Sequence, residues 1–148
     1  MKCDMDRNRP KPKGLQIEYA AQFKDAAVAA AYRYRPEYPE ALFPMLADLV
    51  VGRPRLVLDV GCGTGFVARP LVSLVDRVDG VDFSAPMLEI ARGLPNGDHP
   101  NIHWIHGPIE EVELDPPYGL ITAGASLHWM EWPVVMPGGS SPSSTGRR

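Results

Sequence analysis

Apolar and polar positions divide the chain into short apolar runs separated by segments of helical or loop character. The densest run, Leu56-Val57-Leu58-Asp59-Val60, breaks into Gly61-Cys62-Gly63-Thr64-Gly65. Its near-continuous apolar character predicts a strand buried on both faces, as in a parallel sheet. Further strands are predicted at Arg77–Phe83, Ile102–His106 and Tyr118–Ala123. Phe23, Ala26, Ala27, Ala30, Ala31 and Tyr34 recur at helical spacing and predict one helix from Ile17 to Tyr34. It should stop before Pro36, because the ring pushes Arg35 out of the α region. A second amphipathic helix is predicted from Glu40 to Val51, closed by Gly52 and Pro54. A third should start at Thr64 or Gly65 and reach about Leu74, kinked or shortened by Pro70. A fourth runs from Ala85 to about Arg92, with Ser84 as N-cap and Pro86 in its first turn.

Strands alternating with helical segments argue for an α/β fold: a doubly wound, mostly parallel sheet with helices on both faces, preceded by N-terminal helices. Ligands of such sheets lie at the carboxyl ends of the strands, where strand order reverses. The glycine turn after the first strand falls at that point. Residues 1–14 are charged and rich in proline, which predicts a disordered leader. Residues 15–136 form the expected domain, and 137–148 contain no large apolar residue and should be a disordered tail.

Composition narrows the partners. The apolar fraction of 45% and charged fraction of 22% are ordinary for a globular protein, and the net charge of −3 implies no general attraction to nucleic acid or an anionic membrane. No apolar run approaches the roughly 20 residues needed to span a bilayer. Cys3 and Cys62 make neither a disulfide framework nor a metal cluster, which suits a reducing cytosol. Cys62 stands inside the turn, where a small residue is needed.

Two ligand classes compete for that turn. Dinucleotides use G-x-G-x-x-G, and the register here, Gly61-x-Gly63-x-Gly65, misses it by one. Asp59 beneath the turn would repel a pyrophosphate but suits a ligand with a positive amine, such as the amino-acid end of S-adenosylmethionine. Asp82 closes the second strand, where the two oxygens of a carboxylate match the vicinal diol of a ribose. Met87 either covers an adenine ring or belongs to the core, and Glu110 or Glu111 can accept from an adenine amino group. Tyr32 and Arg35, in a stretch dense in tyrosine and arginine, either pin a helix end or form a lid that reaches a ligand carboxylate. His128 after the fourth strand is a candidate base, substrate contact or packing residue.

Taken together, Leu58-Asp59-Val60-Gly61-Cys62-Gly63-Thr64-Gly65 and Gly80-Val81-Asp82-Phe83-Ser84-Ala85-Pro86-Met87-Leu88 resemble the cofactor loop and second-strand acid of the class I (Rossmann-like) S-adenosylmethionine-dependent methyltransferases. Gly107–Val112 is similar to that family's adenine-side loop, with Glu110 at the acidic position. Ile121–Trp129 and Arg35-Pro36-x-Tyr38-Pro39 resemble its small-molecule subgroup, which includes trans-aconitate methyltransferase-like and type 11 members. The resemblance covers roughly residues 20–136. It implies methyl transfer from S-adenosylmethionine to a small-molecule acceptor. The implied cofactor-binding set is Tyr32, Arg35, Asp59, Gly61, Gly63, Gly65, Asp82, Phe83, Met87, Glu110 and Ala123, with no metal and no assigned catalytic residue.

The family continues through a helix and further strands. Here Pro137-Gly138-Gly139 follows soon after Trp129, and a Ser/Pro/Arg tail replaces the strands. The expectation is a chain truncated at its C-terminus, with a non-catalytic cofactor-binding or interaction fragment as the alternative to an active enzyme. Nicotinamide chemistry is disfavoured by the glycine register and by Asp59.

Overall fold

The computed structural model describes Lys13 and residues 17–130. The expected tail, and the leader apart from Lys13, lie outside the described residues. Four strands, β1 (Leu56–Val60), β2 (Arg77–Asp82), β3 (Ile102–His106) and β4 (Leu120–Thr122), form one parallel sheet in the order β3-β2-β1-β4. The sheet winds outward from β1 in both directions, so the fold is the expected α/β class with its switch point between β1 and β4. β4 is shorter than the predicted run, because Gly119 is diverted: its N–H donates to Leu56 and its carbonyl accepts from Val51.

The helices start and stop differently from the apolar pattern. The single N-terminal helix is broken into α1 (Ile17–Ala20), a 3-10 turn, α2 (Ala26–Ala31) and a second 3-10 turn at Tyr32–Tyr34. Asp25 causes the break. Its backbone is extended, and its Oδ1 accepts from the Ala27 and Val28 amides at 2.7 and 3.4 Å, so it ends one helix and caps the next. α3 (Leu42–Leu49) sits inside its predicted span. α4 (Ala68–Leu71) begins later than Thr64, and Pro70 occupies its third position, where no helical donor is required. α5 (Ala85–Gly93) is capped as expected, with Ser84 Oγ accepting from the Met87 amide at 3.3 Å.

Side-chain alternation divides the sheet into two faces. Val57, Val78 and Ile102 pack with Ala47 of α3 and with Ala68 and Leu71 of α4. The loop after α5 joins this face, where Pro95 accepts from Arg69 and Gly97 from the Trp104 indole. On the other face Leu58, Val60 and Val81 meet Ile109, Val112, Leu114 and Tyr118. Helices on both faces were expected. Among the described residues the second face is instead covered by the connection from β3 to β4, where Pro108, Pro116 and Pro117 work against a helix. β4 forms one edge of this sheet, and its Ile121 is 63% exposed. No described helix is long and apolar enough to cross a membrane.

Candidate cofactor site

A cavity opens over the carboxyl ends of β1 and β2, between the glycine turn and the N-terminal segment. The turn works because Gly61, Gly63 and Gly65 all adopt positive φ (64°, 56° and 80°), a region that a side chain disfavours. The three then diverge. A Cβ on Gly63 would meet only Tyr32, at 3.8 Å, so its face toward the cavity is open. On Gly61 it would strike Ser126 at 2.4 Å, and on Gly65 it would strike Trp104 at 2.6 Å. Gly65 does not line the cavity; its absent side chain makes room for the Trp104 ring. Gly65→Ala should therefore lower stability by about 2–4 kcal/mol through backbone strain and overpacking. Urea unfolding would register the loss, with no change in urea dependence (m-value).

Asp59 is buried at the base of this cavity, paired in register with Gly80 of β2 and Thr122 of β4. Its Oδ1 accepts from the Thr122 hydroxyl at 2.9 Å, and its Oδ2 makes no hydrogen bond of good distance and angle, although the Ala68 amide lies close enough to favour the charged form. Burial pushes its pKa up to about 7, against the Thr122 hydroxyl and the Ala68 amide, which favour the charged form; the charge of Asp82 adds to the rise. A buried carboxylate oxygen without a well-placed donor is a strong acceptor held ready for a cation. The neighbouring Cys62 is buried, and its thiol is pushed well above the ordinary range by burial and by both acids.

Asp82 joins the two halves of the site. One oxygen accepts from the Gly63 amide at 2.7 Å and the other from the Ser84 amide at 2.8 Å. Each oxygen keeps a lone pair, so the carboxylate can hold the turn and still accept from a ligand diol. Burial raises its pKa, opposed by those two amides and by His106. Phe83, Met87 and Glu110 line the same end of the cavity with Pro108 and Ile109, whereas Glu111 does not line it. Met87 is also 2% exposed, so it belongs to the core as well as to the cavity wall.

The N-terminal segment closes the cavity from above. Phe23 stands edge-on to Tyr32 and to Trp129, with ring centroids 5.9 and 5.7 Å apart. Arg35 donates to the Tyr32 hydroxyl at 3.2 Å and makes no ion pair among the described residues, so its charge is available to a ligand anion. Tyr32, Arg35, Asp59, Gly61, Gly63, Asp82, Phe83, Met87 and Glu110 are thus brought to one cavity, while Gly65 and Ala123 are not; Gly124 and Ala125 take the place expected of Ala123. His128 lies against Trp129, with centroids 4.6 Å apart and the rings tilted by 50°, and does not line it. Phe23, Tyr38 and Trp129 also line the cavity; sequence reasoning missed Phe66 and Ser126 as lining residues. The Arg35-Pro36-x-Tyr38-Pro39 and His128-Trp129 stretches held a signal for Tyr38 and Trp129; nothing distinguished Phe66.

Comparison with known proteins agrees with this geometry. A family profile described as a methyltransferase domain matches residues 57–137, more than half of the chain. A malonyl-[acyl-carrier protein] O-methyltransferase of Halalkalibacterium halodurans is 37% identical over 87 residues, which cover 55% of this chain and 32% of that protein. The same-named protein of Anoxybacillus flavithermus is 35% identical over 90 residues, 60% of this chain and 34% of the relative. The chain thus spans about a third of the length of these relatives. Among solved structures, the CcbJ methyltransferase of Streptomyces caelestis superposes with a TM-score of 0.51 at 31% identity, over 65% of this chain and 41% of that one. SAM-bound CalS10, an amino pentose methyltransferase of Micromonospora echinaspora, gives 0.51 at 25% identity, over 66% and 41%. With the matched segment running from β1 through β4 and carrying both buried acids, this chain belongs to the methyltransferase domain family.

Proposed function

We propose that the cavity binds S-adenosylmethionine, and that the chain belongs to an enzyme transferring the methyl group to a small-molecule acceptor in the cytosol. The observation that carries this reading is buried Asp59 in the cavity wall, whose Oδ2 makes no hydrogen bond of good geometry within the chain and can accept from a cationic donor in the cavity. The ammonium of the amino-acid end supplies one. Arg35 and Tyr32 face the matching carboxylate, Gly63 gives backbone approach, Asp82 takes the ribose hydroxyls, Phe83 and Met87 flank the adenine, and Glu110 takes its amine. Gly61 shapes the turn. The cofactor brings a methyl group on a positive sulfur, a leaving group that needs no acid catalyst. The chain's residues therefore orient the ligand and exclude water rather than move protons, which fits a site with no assigned catalytic base. We place the domain at residues 15–136.

Calorimetric titration with S-adenosylhomocysteine tests the reading. The expected result is one site per chain with a micromolar Kd; a folded sample that releases no heat and shows no thermal shift overturns it.

A further inference from the structure

We propose that the Ser84 hydroxyl is a positioning group that holds the N-terminal segment closed over the cavity, tying that segment to the acid that grips the ligand. This rests on the cavity being the cofactor site. Ser84 is fully buried and serves three partners at once. Its N–H donates to Asp82 Oδ1, its Oγ accepts from the Met87 amide as the cap of α5, and its hydroxyl proton goes to the Phe23 carbonyl. A helix cap needs only an acceptor, so the donated proton is a separate function of the same side chain. What it holds is not peripheral. Phe23 lines the cavity and props Tyr32 and Trp129, and α2 packs on α5 just beyond. The link spans 61 residues of sequence, and its far end lies two residues from Asp82, so a ligand drawn onto Asp82 sits against the element that anchors the covering segment.

Ser84→Gly and Ser84→Ala separate latch from cap, because glycine caps helices nearly as well as serine and alanine does so poorly. Amide hydrogen exchange without ligand should rise roughly tenfold across residues 20–34 in both variants, the scale of one lost buried hydrogen bond. Across residues 85–93 it should rise in the alanine variant alone. Affinity for S-adenosylhomocysteine should fall about tenfold in both, and Ser84→Thr, which keeps the hydroxyl, should restore both readouts. A glycine variant that exchanges like wild type over residues 20–34 overturns the latch. Wild-type protein that fails to bind S-adenosylhomocysteine overturns the cofactor reading instead, and the exchange comparison still decides the latch.

Discussion

Asp59→Asn is expected to make the ligand-free protein more stable relative to wild type as pH rises from 4 to 8, while removing most of its affinity for S-adenosylhomocysteine. The sign follows from burial. The folded chain holds the Asp59 proton up to about pH 7, whereas an unfolded aspartate loses it near 3.9. Between those values the folded state binds a proton that the unfolded state does not, so wild-type stability falls as pH rises through this window. Above it the full penalty stands, about 4 kcal/mol as a ceiling. Asp82, also raised by burial, acts in the same direction and is common to both proteins. An amide carries no such charge. The gap in unfolding free energy between variant and wild type should therefore widen by about 2–4 kcal/mol from pH 4 to pH 8. Binding should move the other way: a ligand ammonium left without its carboxylate loses about 2–3 kcal/mol, or roughly 30- to 150-fold in Kd. Urea unfolding at the two pH values, with calorimetry at pH 8, measures both. Parallel pH dependence in the two proteins, or unchanged affinity, would contradict the role assigned to Asp59.

Those features that depend on neighbours along the chain were legible in the sequence. The β1 run, the turn with three glycines and the Ser84 cap each follow from a few adjacent residues, and each appears where expected. The late start of α4 was less so. Gly65 at φ 80° cannot sit in a right-handed helix, and Pro70 needs a first-turn position, so both push the start to Ala68. Asp25 was masked by the alanine-rich run around it, because helix propensity summed over many residues hides one side chain that bonds its own backbone. The role of each glycine was beyond spacing altogether. Which of them faces a ligand and which faces Trp104 or Ser126 depends on how distant strands are registered. The aromatic ceiling was hidden for the same reason, since Phe23, Tyr32, Phe66 and Trp129 converge from separate parts of the chain. Covering one sheet face with a connection rather than a helix follows from proline-rich sequence whose apolar residues show no helical period.

Asp82→Ala should produce the largest combined loss. It strips the partners from two amides, Gly63 and Ser84, each with its own consequence. At about 1–3 kcal/mol per unsatisfied buried donor, stability should drop by roughly 2–5 kcal/mol, and the glycine turn loses its tether to β2. Affinity for S-adenosylhomocysteine should fall by more than about 100-fold, since the preformed loop and the ribose contact go together. These two effects can be separated with a 2′-deoxy analogue. If Asp82 bonds the ribose, the missing hydroxyl should weaken binding about tenfold in wild type and hardly at all in the variant. If the hydroxyl matters equally in both proteins, Asp82 organises the turn without touching the sugar. Asp82→Asn sharpens the distinction. Its one oxygen can satisfy one amide, but its NH2 must face the other donor, so the turn is only half held. Stability between wild type and alanine, with the ribose coupling already reduced, would place both duties on the same carboxylate.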